Sequence, residues 1–106
     1  GQMTAYAEYL AGVLQARGFE AGDITITPRG GTATMTARFR GTDPSLKPIL
    51  VASHMDVVPA KREDWERDPF TAVVEDGFVF GRGASDNKFG LVTSTVALIW
   101  LKQEGF

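Results

Sequence analysis

Cysteine is absent from the 106-residue chain, which excludes disulfide staples and thiolate metal ligands. Histidine is almost absent too, with His54 the single residue of its kind. Positive charge is not in excess: 11 Lys and Arg stand against 13 Asp and Glu, a formal net charge of −2. Nothing is left over to neutralise a phosphate backbone or an anionic bilayer, so nucleic acid and lipid are not expected partners. Long apolar runs are missing as well. The longest, Gly90 to Leu101, is interrupted by Thr93, Ser94 and Thr95 and falls short of the roughly 20 residues a bilayer-spanning helix needs. No charged-then-apolar leader opens the chain, a pattern that a processed start would share, so localisation is open. The length suits one small hydrophobic core and predicts a single compact unit.

What is present is ordered. From Thr4 to Arg17, apolar residues recur at Tyr6, Leu10, Val13 and Leu14, the spacing of an amphipathic helix, and Gly18 supplies its stop. Ile24 to Thr27 alternates Ile with Thr. Ala33 to Arg40 sets Ala33, Met35, Ala37 and Phe39 on one face. The period of two predicts a pair of half-exposed strands joined through Pro28-Arg29-Gly30-Gly31. Pro48 leads into Ile49-Leu50-Val51-Ala52, a continuous apolar run that predicts a central strand covered on both faces, with His54 directly after it. Val57 to Phe70 is rich in charge and carries Pro59 and Pro69, the chemistry of a long surface loop. Asp76-Gly77 between Ala72-Val73-Val74 and Phe78-Val79-Phe80 predicts a tight hairpin. A helix from about Lys88 to Glu104 follows, apolar almost all round and expected to lie buried against a sheet. The order of elements predicts an α/β fold, a mixed sheet flanked by helices.

His54 and Asp56 stand at the carboxyl end of the predicted central strand, where open α/β sheets place ligands. A metal-bound imidazole commonly gives its other N–H to a carboxylate, so His54 suits a ligand and Asp56 its orienter. By itself a His-x-Asp pair is more often a packed or solvated side chain. Gly81-Arg82-Gly83-Ala84-Ser85-Asp86-Asn87-Lys88 then brings a second carboxylate to a helix start, where aspartate also serves as an ordinary N-cap.

Taken together, Ser53-His54-Met55-Asp56-Val57-Val58-Pro59, Trp65, Asp68-Pro69-Phe70, Asp76-Gly77 and Gly81 to Lys88 resemble, in order and spacing, the co-catalytic zinc hydrolases. That family includes carboxypeptidase G, acetylornithine deacetylase, succinyl-diaminopimelate desuccinylase, aminoacylase and carnosinase. The resemblance is dense from Ile49 to Phe106 and rests on element order alone before Pro48. Asn87 and Phe89-Gly90 vary the family pattern.

The resemblance implies that residues 1–106 are the N-terminal part of a zinc-peptidase catalytic domain, the remaining catalytic segment and the dimerisation or lid domain lying outside them. It implies two zinc ions in the intact enzyme, with cobalt or manganese as substitutes. His54 would bind one zinc, Asp86 would bridge both, and Asp56 would be the supporting catalytic carboxylate. A cis peptide is implied between Asp86 and Asn87. The implied activity is hydrolysis of amide bonds in small peptides or N-acyl amino acids by a homodimer. The general base, a glutamate, and the other ligands are expected outside this chain, which is therefore expected to be inactive alone and prone to self-association.

Arg82 and Lys88 are left outside the catalytic set, as charges that either buttress the turn or hold an anionic substrate group. Trp65 and Phe70 are expected to pin the loop to the core rather than to line a cleft. Two other readings stay open: a metal-binding relative that does not hydrolyse, and a purely structural α/β module.

Overall fold

The computed structural model describes residues 2–106. The chain divides into two compact units, residues 2–51 with 95–106 and residues 52–94, where its length predicts one.

In the first unit, helix α1 spans Gln2–Gln15 and buries Ala7, Leu10, Ala11 and Leu14, a stripe at i, i+3, i+4 and i+7. The predicted stripe held Leu10 and Leu14. The alanines complete it, and Tyr6 and Val13 flank it half-buried. The helix stops where predicted. Gly18 takes φ +89°, its N–H bonds the Gln15 carbonyl at 3.0 Å, and Phe19 N–H reaches back to the Leu14 carbonyl at 3.1 Å. This is a Schellman ending, and the residues at its two ends, Leu14 and Phe19, share the core.

Strands β1 (Ile24–Arg29) and β2 (Thr32–Ala37) form an antiparallel hairpin in the register Ile24 to Ala37 and Ile26 to Met35. Alternation puts Ile24, Ile26, Ala33, Met35 and Ala37 on the half-buried face. Leu14, Phe19 and Ile99 form the centre of the core, with Val13, Ile24, Met35, Ala37, Phe39 and Leu98 packed round it. Phe19 meets Phe39 edge to face, and the Lys102 ammonium lies 5.1 Å over the Phe19 ring. Arg40 pairs with Asp23 at 2.9 Å beside this layer.

In the second unit, β3 (Val73–Glu75) and β4 (Phe78–Phe80) pair antiparallel. Asp76 (φ 50°) and Gly77 (φ 82°) both adopt positive φ, the type I′ turn that an Asp-Gly pair favours. Arg67 pairs with Glu75 and lies 4.3 Å over the Phe80 ring, tying the preceding loop to the hairpin. Helix α2 (Gly90–Gln103) begins in this unit and from Thr95 onward belongs to the first. It closes on a second Schellman ending, with Gly105 at φ +69° and Phe106 N–H on the Leu101 carbonyl.

Three expectations differ from the structure. The order helix, strands, helix is as predicted, but the strands form two separate two-stranded sheets instead of one mixed sheet. Ile49-Leu50-Val51-Ala52 is irregular rather than a central strand, with Ile49 92% and Leu50 87% exposed. A covered strand needs a ladder partner at each edge and a layer on each face, and among the described residues each hairpin strand pairs only with its own neighbour. The same shortfall of cover applies to α2, which buries only Ile99 and leaves Val92, Val96 and Trp100 exposed. No helix among the described residues is long and apolar enough to cross a membrane.

Candidate metal centre

All three predicted site residues lie in the second unit and converge there. His54 sits in an irregular segment, not at a strand end. Its ring is held on one side by the next residue but one: Nδ1 is 3.1 Å from the Asp56 carbonyl oxygen and 3.2 Å from its carboxylate. On the other side Nε2 lies 2.9 Å from Asp86 Oδ1. With Nδ1–H donating to Asp56, the tautomer that remains presents the Nε2 lone pair toward Asp86, as in carboxylate-oriented histidine ligands.

Backbone chemistry places Asp86. Gly81, Arg82 and Gly83 form a turn after β4, with Gly83 buried at φ +84°. A Cβ on Gly83 would collide with a Val57 methyl, so glycine meets both the dihedral and the space at this position. From Ala84 to Phe89 the chain makes a kinked π-type turn, in which Asp86 (φ −113°, ψ 97°) and Asn87 (φ −132°, ψ 29°) leave helical geometry. The Asp86–Asn87 peptide is cis. The Asn87 amide oxygen occupies the space a Cβ on Gly90 would need, which couples this turn to the start of α2.

Polar contacts hold the two segments together. Lys88 Nζ donates to the Met55 carbonyl at 2.6 Å, so the side chain buttresses the His54 segment. The Arg82 N–H donates to the Pro69 carbonyl at 2.6 Å, and Lys88 N–H to the Gly83 carbonyl at 3.0 Å. Asp68 accepts from Phe70 N–H at 2.9 Å and from the Thr71 hydroxyl at 3.1 Å, and these bonds hold its carboxyl below the usual range. That turn directs Pro69 inward and leaves Phe70 63% exposed, so Phe70 does not pin the loop. Trp65 is half-buried beneath the Arg82 guanidinium at 5.1 Å.

His54, Asp56, Arg82, Ser85 and Asp86 share the wall of one open cleft of about 220 Å³. The His54 side chain is half exposed and that of Asp86 89% exposed. The hydrogen bond to Asp86 first, then that to the Asp56 carbonyl, raises the His54 pKa above the ordinary imidazole range. The same geometry that favours a proton on Nε2 favours a cation there. An imidazole nitrogen and a carboxylate oxygen directed at one point fit zinc in kind. In number they fall short: no group of three or more His, Cys, Asp or Glu among the described residues could hold a metal. Buttressing is one of the two roles expected for Lys88, and its bond to Met55 fits that role; the Gly83–Val57 fit was not predicted. Only the glycine spacing of Gly81-Arg82-Gly83 hinted at that fit.

Comparison with known proteins bears on the same stretch. The profile of peptidase family M20/M25/M40 matches residues 50–106, just over half of the chain. The mouse N-fatty-acyl-amino acid synthase/hydrolase PM20D1 is 48% identical over 59 residues, 56% of this chain and 12% of its own. Succinyl-diaminopimelate desuccinylase of Bordetella avium is 41% identical over 92 residues, 86% of this chain and 23% of its own. Aminoacylase-1 of Sus scrofa is 46% identical over 66 residues, 61% of this chain and 16% of its own. The chain thus spans less than a quarter of each of these relatives. No solved structure matches it. These relatives are hydrolases of a generally metal-dependent family, and the chain belongs to peptidase family M20/M25/M40.

Proposed function

We propose that this chain supplies one part of the metal centre of a zinc-dependent amide hydrolase whose substrates are N-acyl amino acids or small peptides. The observation that carries the reading is the convergence of His54 Nε2 on Asp86 Oδ1 at 2.9 Å while Nδ1 is held by Asp56. In this reading His54 and Asp86 are metal ligands, Asp86 shared between two ions, and Asp56 fixes the tautomer and aim of His54. Bound zinc supplies Lewis acidity, polarising an amide carbonyl and acidifying water. The names of the relatives, N-fatty-acyl-amino acid synthase/hydrolase, aminoacylase and succinyl-diaminopimelate desuccinylase, support acyl amino acids as the substrate class.

The described residues contribute no general base, and two donors are fewer than the three a hydrolytic zinc site usually takes. The reading therefore assigns the base and remaining ligands to the rest of the intact protein, and assigns no hydrolysis to residues 1–106 alone. It also assigns a homodimer to the intact protein. Exposed Ile49, Leu50 and Trp100 support self-association of the isolated chain. In the intact protein, His54→Ala and Asp86→Ala should each abolish zinc-dependent release of the amino acid from an N-acyl amino acid. Retention of wild-type turnover by either variant would overturn the assignment.

A further inference from the structure

We infer that Trp65 is a positioning residue of this cleft: through the Arg82 guanidinium it sets the turn that carries Asp86, and with it the affinity for a divalent cation. The inference rests on the amide-hydrolase reading where it names a cation as the ligand that gains.

The Asp86 carboxylate has one partner among the described residues, His54, and its side chain is otherwise exposed. Its place is therefore decided by the backbone from Gly81 to Lys88. That stretch closes on itself where Lys88 N–H meets the Gly83 carbonyl at 3.0 Å, so whatever orients Gly83 also orients Asp86. The residue before Gly83 is Arg82, and the loop ahead of the hairpin grips it twice. The Pro69 carbonyl accepts from its backbone N–H at 2.6 Å, and the Trp65 ring lies 5.1 Å from its guanidinium carbon. One attachment lets a residue pivot, whereas two fix its orientation.

Trp65 is suited to be the fixed end of this contact. Its N–H donates to the Arg62 carbonyl at 3.2 Å and its own carbonyl accepts from the Arg62 guanidinium. The half-buried indole thus projects from a backbone held on both sides. Arg82 is suited to be the end that follows. It has no carboxylate partner among the described residues, whereas Arg67 of the same unit has Glu66 and Glu75. Its Nε makes no hydrogen bond. The ring face is the contact left to its guanidinium, a planar cation that stacks well on an indole.

Charge and position predict opposite signs here. A fixed cation in the wall beside Asp56 and Asp86 opposes the arrival of a second cation. Acting by charge alone, Arg82 would weaken zinc binding, and its removal would tighten it. Acting through position, its removal loosens zinc binding. Trp65 is neutral and lies outside the wall of that cleft, so its replacement alters position only.

The test uses the 106-residue chain with zinc alone as the probe. Uptake is followed at the His54 ring. The turn itself is followed without metal, by hydrogen exchange at the Arg82 and Lys88 amides. Trp65→Leu should speed exchange at both amides and weaken zinc binding, each about threefold to tenfold, while the α1 amides stay in place. Trp65→Phe, which keeps a ring face, should retain most of the wild-type behaviour. Arg82→Met should match Trp65→Leu, and the double variant should lose little more than either single one, because both break the same contact. Tighter zinc binding by Arg82→Met, additive losses in the double variant, or a full loss in Trp65→Phe overturns the assignment. So does unchanged exchange at the two amides in Trp65→Leu. Should Trp65→Leu also displace the α1 amides, Arg82→Met decides, since it leaves the indole in place. Failure of zinc to perturb His54 in the unsubstituted chain would instead contradict the functional reading, with the coupling of Trp65 to the turn still decided by exchange.

Discussion

The two units of the chain are held by different forces. The first packs Leu14, Phe19 and Ile99 beneath a helix and a hairpin, so its order comes from apolar burial. The second, residues 52–94, contributes no residue to the buried hydrophobic set. Its order comes from backbone geometry and polar contacts: the Asp76-Gly77 turn, the glycine fit against Val57, the Lys88 bond to Met55 and the Arg67–Glu75 pair. The difference teaches that the part carrying the candidate site is shaped by local chemistry and stands to gain most from a bound cation, since binding to the folded state adds directly to its stability.

Substitutions in each unit should break this contrast in different ways. The largest effect is expected in the first unit. Leu14 is 2% exposed, and Leu14→Ala should cost about 2–5 kcal/mol, a large share of a small domain's stability. Thermal melting would show it, with or without zinc. In the second unit, Gly83→Ala meets both the positive φ and the Val57 methyl, and should cost about 1–3 kcal/mol. Its effect should appear in the amide resonances of residues 81–88 while those of α1 stay in place. Adding Val57→Ala should return part of the loss, the part due to collision, and leave the part due to φ. Full recovery would show that the dihedral is not restrictive.

A smaller effect concerns pH. Because Asp86 and the Asp56 carbonyl raise the His54 pKa above the ordinary range, their stabilisation is complete below the unfolded imidazole pKa and is lost as pH rises through the folded one. His54 is exposed, so the effect on stability should be slight, but the titration itself is measurable. Asp86→Asn should bring the His54 midpoint down in the metal-free chain, by proton NMR of the ring. An unchanged midpoint would mean that the 2.9 Å contact does not persist in solution. Smallest of all, Ile49→Ser with Leu50→Ser should reduce self-association in light scattering without lowering the melting temperature, since both side chains are already exposed.

Local signals were legible in the sequence. The α1 stripe, the Gly18 stop, the alternation of β2 and the Asp76-Gly77 turn all form as read, because each depends on neighbours within a few residues. His54, Asp56 and Asp86 also come together as the spaced motifs implied, and the implied cis peptide is present. The failures are the elements that depend on distant partners. Ile49 to Ala52 has the composition of a covered strand and α2 that of a covered helix, but composition states only that cover is wanted, and the described residues do not provide it. Phe70 was misjudged for a similar reason: the Asp68 turn, rather than ring size, decides that Pro69 faces inward.

The most direct test of the account is a zinc titration of the chain watched at the imidazole nitrogens of His54. The account predicts a shift at Nε2 with Nδ1 still protonated, weakened by Asp86→Asn, weakened about 10- to 100-fold by Asp56→Ala, and lost as pH falls and protons compete. A titration that leaves Nε2 unmoved, or that is the same with and without the Asp86 carboxylate, would contradict it.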